Sequence, residues 1–349
     1  MVYRLICLIF VGLLCCPFTV NSADLQKARI TYKGENYKLT LKEMLPLAEA
    51  GEGKAAFIVG FIYENGVGVA KNAELAAKWY KKAVKGLKPA AEEGSLSAQQ
   101  SLGAAYLLGK GVEQDAEQAV IWFRRAAENG FAESQHNLAV LYMKGIGVQE
   151  NAKQAAIWLE RAAKQGYIDS QLQLGQMYAK GYGVDRDLTQ AVYWVSKAAE
   201  QGNLVAQRKY GVMYAKGMGV QKDMARAIKW LTLAAEAGEP YAQTNLGMFY
   251  LGNKEVPQDF SKAMMWYKRA AEQGLSDAQN SLGAIYLNGW GTAPDVLRGY
   301  VWFGVAALQG DKQALSNLKK LEAALDSQHV KKARDLVEEC IKKKYKDCY

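Results

Sequence analysis

Histidine is nearly absent: the 349 residues contain two, His136 and His329. Metal-dependent enzymes commonly draw ligands and proton shuttles from histidine clusters, so that class starts without its usual material. Proline is scarce at 6, which leaves helices uninterrupted. No cysteine lies between residues 17 and 339, and that excludes a disulfide framework through the body of the chain. There is no Asn-x-Ser/Thr acceptor, which leans toward a bacterial envelope over a eukaryotic lumen. Long apolar runs are missing except for Leu5 to Val20, shorter than the roughly 20 residues of a membrane span. What is plentiful is glycine, 33 residues, in a chain that is 50% hydrophobic and 23% charged. Those proportions describe a folded, mostly helical protein, neither disordered nor fibrous. The net charge of +9 is spread along the chain, which suits acidic partners and lacks the dense patch of a nucleic-acid binder.

The one apolar run reads as an address. Arg4, the run itself and Asn21-Ser22-Ala23 have the charge, core and small-residue exit of a secretory signal peptide, residues 1–22. Its removal takes Cys7, Cys15 and Cys16 with it and leaves Cys340 and Cys348. In an oxidising compartment those two are expected to form a disulfide. Residues eight apart in a continuous helix lie about 12 Å apart along the axis, beyond the roughly 7 Å that a disulfide bridges. The last helix must therefore end before Cys348. The expected location is the periplasm of a Gram-negative bacterium, with secretion as the alternative.

The body of the chain is one unit written seven times. Glycines 94, 130, 166, 202, 238, 274 and 310 fall 36 residues apart, as do tryptophans 122 to 302 and tyrosines 106 to 286. An earlier copy (Gly51, Gly60, Tyr63, Trp79) stands 43 residues ahead of the next, and its extra residues lie around Gly86-Leu87-Lys88-Pro89. Self-similarity of this period marks a solenoid whose units bury their apolar faces against their neighbours. Each unit reads as two helices. Ala98, Leu102, Gly103 and Tyr106 have helical spacing, Gly109-Lys110-Gly111-Val112 breaks the helix, and Asp115 caps the next. That second helix carries Ala119, Trp122, Ala126 and Ala127 on one face and stops at Gly130. Gly103 inside the first helix, recurring at 60, 175, 211, 247 and 283, implies a helix too close for a side chain.

In the fifth copy Ala206, Gly211, Tyr214, Gly217, Gly219, Val220, Asp223, Ala227, Trp230, Ala234, Ala235 and Gly238 spell the full motif. This resembles the Sel-1-like repeat family, relatives of the tetratricopeptide arrays, over about residues 41 to 310. The sixth copy departs, with Asn253-Lys254-Glu255-Val256 in place of the two-glycine loop. The resemblance implies an all-α, right-handed superhelical solenoid of about seven 36-residue helix-turn-helix repeats with helical end caps. It further implies an exported protein-interaction scaffold. The expected boundaries are a cap at 24–50, repeats at 51–310, and capping helices with a basic tail at 311–349. In the N-terminal cap, Ala28 to Leu39 alternate as a short hairpin, and Thr40 opens a helix to Ala50.

Catalytic chemistry is not expected. No Gly-Lys-Ser/Thr follows the glycine loops, so they are not phosphate cradles. Ser316-Asn317-Leu318-Lys319 matches one penicillin-recognition motif without the others. Family members that act on penicillins carry paired cysteines in every repeat, which this chain lacks. No metal or cofactor is anticipated, and His136 is read as a surface residue.

The expected site is a surface. If the core takes Ala98, Leu102, Gly103 and Tyr106, then positions 100, 104 and 108 face away, and in such a superhelix the first helices line the concave wall. The wall is then His136, Val140 and Lys144; Leu172, Gln176 and Lys180; Arg208, Val212 and Lys216; and Met248. It reads as a rail of lysines beside an apolar middle, suited to a partner protein with an acidic face. A second surface is a loop ridge at Tyr182, Met218 and Trp290, for which packing onto the next unit is the competing use. Three roles follow: an envelope scaffold, a periplasmic immunity protein that neutralises a lipase-type toxin, or a secreted factor that binds a host protein. Cell-wall or β-lactam hydrolysis is the remote alternative.

Overall fold

The computed structural model describes residues 37–348, which form two compact units divided after Asp187. The expected signal peptide and the start of the expected hairpin lie outside the described residues. In the first unit the helices are α1 (Tyr37–Glu49), α2 (Gly53–Asn65), α3 (Ala73–Glu92), α4 (Leu96–Leu108), α5 (Ala116–Glu128), α6 (Ala132–Lys144), α7 (Ala152–Lys164) and α8 (Ile168–Lys180). In the second they are α9 (Leu188–Glu200), α10 (Leu204–Lys216), α11 (Met224–Glu236), α12 (Pro240–Gly252), α13 (Phe260–Ala271), α14 (Ser276–Asn288), α15 (Val296–Leu308), α16 (Lys312–Ala324) and α17 (Ser327–Lys342). No strand occurs among the described residues. Tyr37 and Leu39 are accordingly helical and form no hairpin strand. The cause is Thr40, which is fully buried on one face with Met44 and Ala48 and so belongs inside α1, one turn before the start its capping chemistry suggested.

Every repeat is closed in the same way. The N-cap of the second helix donates its backbone N–H to the carbonyl of the first helix's tyrosine, as from Asn72 to Tyr63 (2.8 Å), Asp115 to Tyr106 (2.9 Å) and Asp295 to Tyr286 (2.8 Å). In six of the repeats its side chain accepts from the backbone N–H three residues on, as Asp115 does from Gln118, satisfying a donor the helix start leaves unpaired. The glycine inside the first helix sits against the second helix of its own repeat. A Cβ on Gly103 would lie 2.8 Å from the Phe123 ring, and one on Gly247 equally close to Tyr267. The periodic tryptophans are core, with Trp122, Trp158, Trp194, Trp266 and Trp302 buried and Trp79 and Trp230 half-buried. In the sixth repeat Asn253 has φ −80° where its counterparts are left-handed glycines. Its side-chain oxygen accepts from the Glu255 N–H at 2.8 Å, and the bond from Asp259 to Tyr250 is kept at 2.9 Å.

In the third, fourth and fifth repeats the second glycine of the loop joins the repeat to the one before. Gly147 has φ +66°, and a Cβ there would lie 2.2 Å from the carbonyl oxygen of Ala116, the first residue of α5. Gly183 meets Ala152 of α7 and Gly219 meets Leu188 of α9 in the same manner, each at 2.2 Å. The first repeat breaks this register. Its second helix, α3, has 20 residues where the others have 12 or 13, so the additional stretch lengthens the helix and forms no separate loop. Gly111 therefore seats on Tyr80, in the second turn of α3, instead of on its first residue.

The C-terminal cap is helical, as expected, and only part of its apolar side chains are buried. Ala314 of α16 and Ala333, Val337 and Cys340 of α17 are buried, whereas Leu315 and Ile341 remain exposed. Val337 packs so tightly on α15 that a Cβ on Gly304 would lie 2.6 Å from it. After α17 ends, Lys344, Tyr345 and Asp347 take positive φ and turn the chain back. Cys348 is thereby bonded to Cys340 with Cα atoms 4.8 Å apart.

Two glycines separate backbone conformation from contact. A methyl group on Gly130 (φ +88°) would have nothing within 4 Å, while one on Gly147 would collide with Ala116. Gly130→Ala should cost about 1–2 kcal/mol for the left-handed backbone alone. Gly147→Ala should cost a further 1–3 kcal/mol or so from overpacking. Urea melts giving equal losses would show that the loop glycine is not an inter-repeat contact.

Candidate functional site: first-helix faces and loop tips

The flank predicted to be free is in part a seam. Gln100 of α4 is buried; its amide donates to Glu133 at 2.9 Å and its oxygen accepts from the Ser134 hydroxyl, both on α6. His136 of α6 is also buried, with Nδ1 2.9 Å from the Ser170 hydroxyl of α8 and its ring 5.2 Å from that of Tyr167. Surface exposure of His136 is thus overturned, and so is its role as a partner contact. The reason is that successive first helices lie side by side. The position opposite a repeat's own core faces the next repeat before it faces solvent.

Further along the same helices the face opens. In the first unit Lys144, Gln176 and Lys180 are exposed, Val140 and Leu172 half-buried. In the second unit Lys216 is exposed, Met248 is 52% exposed, and Val212 is half-buried against the core. Arg208 is engaged, with Nε 3.3 Å from Glu239 and its guanidinium over the Tyr241 ring at 5.4 Å. The loop tips lean back onto the preceding repeat. Tyr182 donates its hydroxyl toward Glu150 at 3.1 Å, and the Trp290 ring stacks 6.2 Å from Phe260. Both keep about a third of their surface exposed, whereas Met218 is half-buried.

Residues 53–86, 96–131, 132–167, 168–203, 204–239, 240–275 and 276–311 each match the Sel1 repeat. The chain belongs to the Sel1 repeat family. A solved Sel1 repeat protein from Oxalobacter formigenes is 32% identical over 90% of this chain and 93% of that one, with a TM-score of 0.63. A protective antigen of uropathogenic Escherichia coli with an SLR fold is 27% identical over 88% of each chain, TM-score 0.45. An immunity protein from Pseudomonas aeruginosa is 20% identical over 62% of this chain and 82% of its own, TM-score 0.38. A search of curated proteins returned no match. Sel1 repeat arrays are in general non-catalytic scaffolds that bind other proteins. Among the described residues no helix is long and apolar enough to cross a membrane.

One device of these Sel1 repeats escaped the sequence reading. Gln99, Gln135, Gln171, Gln207, Gln243 and Gln279 each donate a side-chain amide to the carbonyl eight residues earlier, at 2.9 to 3.3 Å. The acceptors are Ala91, Ala127, Ala163, Ala199, Ala235 and Ala271, at the ends of the second helices, where each carbonyl also accepts from the N–H of the glycine three residues on and the glutamine adds a second donor. Gln165, Gln273 and Gln309 donate in turn to three of these glutamines. The signal was present, since the six glutamines recur at the same step of 36.

His136 gives the stability a pH dependence. Burial disfavours the charged ring and lowers its pKa to about 4, against about 6.5 in an unfolded chain. Above pH 6.5 both states are neutral at this residue and it contributes no slope. As the pH falls toward 4 the unfolded chain takes up a proton that the folded chain refuses, so stability is lost, about 3 kcal/mol in all. Urea melts of wild type and His136→Gln at pH 7.5 and 4.5 should differ in their gap by about 2–3 kcal/mol in the variant's favour at low pH. A gap independent of pH would contradict this origin.

Proposed function

We propose that the protein is an exported, non-catalytic scaffold that holds another protein, one with an acidic face, against the open stretch of its first helices. The observation that carries this reading is the exposure of Lys144 and Lys180, at the same position of consecutive repeats, beside the half-buried Val140. Neither lysine takes part in an ion pair among the described residues. Lys216 and Met248 give the second unit a face of the same kind. Export is supported by the Leu5 to Val20 run and by the disulfide between Cys340 and Cys348, since such bonds persist in oxidising compartments. The exposed parts of Tyr182 and Trp290 are a secondary surface, limited by their packing on the repeat before.

Charge at the rim of an interface acts on association rate and salt response, while a central apolar contact sets residence time. With a partner captured from envelope extract, Lys144→Glu with Lys180→Glu should slow association at low salt and flatten its salt dependence. Val212→Asp, in the second unit, should instead speed dissociation. Surface plasmon resonance at two salt concentrations reads both effects. Binding that is unchanged in both variants removes the first-helix faces from the account.

A further inference from the structure

The first repeat departs from the pattern in three ways that meet at one place. The first is the longer helix. Because Gly111 seats on Tyr80, the opening two turns of α3 project past the loop of the second repeat by about 10 Å, seven residues of helical rise. A cleft of about 440 Å3 opens between them, walled by Ala73, Ala76, Ala77 and Tyr80 on one side and residues 109–113 on the other. The second departure is at its floor, where Glu64 accepts from the Tyr80 hydroxyl at 2.7 Å and pairs with Lys110, whose ammonium lies over the Tyr80 ring. The residues at the same two positions are Leu107 and Ile146 one repeat on, and Met143 and Tyr182 after that. A half-buried ion pair is no better a source of stability than the apolar pair it stands in for.

The third departure is charge. Lys78, Lys81, Lys85 and Lys88 are exposed on α3 at spacings of three and four, which puts them on one stripe about 15 Å long. None has a hydrogen bond or ion pair among the described residues. The acidic residues of α3, Glu74 and Glu92, stand at its two ends. Lys81 also lines the cleft. Both oxygens of Glu64 are engaged, while Lys110 retains ammonium hydrogens beyond the one it gives to Glu64. Lys110 neutralises Glu64 at the floor and keeps donors for a further acceptor, Lys81 adds an unpaired positive charge beside it, and the one other carboxylate of the lining is Glu113 on the opposite wall. The small side chains of Ala73 and Ala77 let a backbone come close.

We propose that the α3 lysine stripe and its cleft dock an acidic peptide segment of a partner protein. Its carboxylates lie along Lys78, Lys81, Lys85 and Lys88, and one of them enters the cleft between Lys81 and Lys110. This site is separate from the first-helix faces and stands or falls without them. Fluorescence polarisation with fluorescein-labelled hexaglutamate, and hexaglutamine as control, tests it on the whole protein. Hexaglutamate should bind at least tenfold more tightly than hexaglutamine. Lys81→Gln with Lys85→Gln should weaken it about tenfold. Ala77→Trp, which fills the cleft from an exposed position and removes no charge, should do the same, and Lys319→Gln with Lys320→Gln, which removes as much charge from exposed positions of α16, should leave it unchanged. Thermal melts by circular dichroism check that each variant is folded. Equal binding of the two peptides, no binding at millimolar peptide, or affinity that follows lysine number and ignores Ala77→Trp would each overturn the proposal.

Discussion

The array depends on one contact between backbones, the second loop glycine of a repeat resting on the first carbonyl of the preceding second helix. At Gly147, Gly183 and Gly219 the space for a methyl group is already taken by the carbonyl oxygen. A contact with no side chain between its partners has almost no slack, so it sets how far those repeats stand from the ones before them. The loop that carries the glycine is fixed at its other end by the N-cap bond to the tyrosine carbonyl. Loop length is therefore held, and variation is pushed into the helices. The extra residues of α3 are an instance. Seven residues make nearly two turns, so the helix returns to almost the same face and the next repeat packs as before, two turns lower.

The same constraint explains which parts of the fold were legible in the sequence. Gly103, the capping Asp115 and the buried Trp122 are each required by local geometry or by packing inside one repeat, and such demands leave the same residue at the same step. His136 was misread because its position is varied, with Gln100, Leu172 and Arg208 at the equivalent places. Variation in one chain looks like freedom, yet at three of these positions it reflects a different hydrogen-bonding solution in the seam: an amide to Glu133 and Ser134, an imidazole to Ser170, a guanidinium to Glu239. The glutamines were missed for the opposite reason. They recur in six of the seven repeats, with Ala56 in the first, but a polar residue beside a helix start reads as surface, and only the carbonyls at the end of the previous helix show what it serves. Tyr37 and Leu39 alternate as a strand would, and Thr40 looked like a cap; burial of Thr40 with Met44 and Ala48 decided for helix.

The candidate surfaces were less legible than the fold because the repeat consumes most positions before any partner can use them. On a first helix the core takes one face and the neighbouring repeat takes the flank. What remains is the last turn, where Lys144, Lys180 and Lys216 stand, and a strip above it where Val140 and Val212 are already half-buried. The loop tips are constrained likewise: Tyr182 and Trp290 offer a partner only what their packing on the preceding repeat leaves over.

Under the proposed docking site, discrimination between partners falls where the pattern is broken. A periodic contact is the same in every repeat and cannot tell one partner from another; discrimination needs a position at which one repeat differs from its neighbours. Length is a stronger break than sequence, because it moves a whole loop relative to a helix and opens space that no substitution in a regular repeat provides. α3 combines both: its extra turns uncover Ala73 and Ala77, its stripe carries a net positive charge where Arg124 and Glu128 of α5 and Glu160 and Lys164 of α7 cancel, and Glu64 and Lys110 replace an apolar pair. Within each unit the regular repeats supply the spacing, through contacts of backbone on backbone, against which the irregular positions stand out.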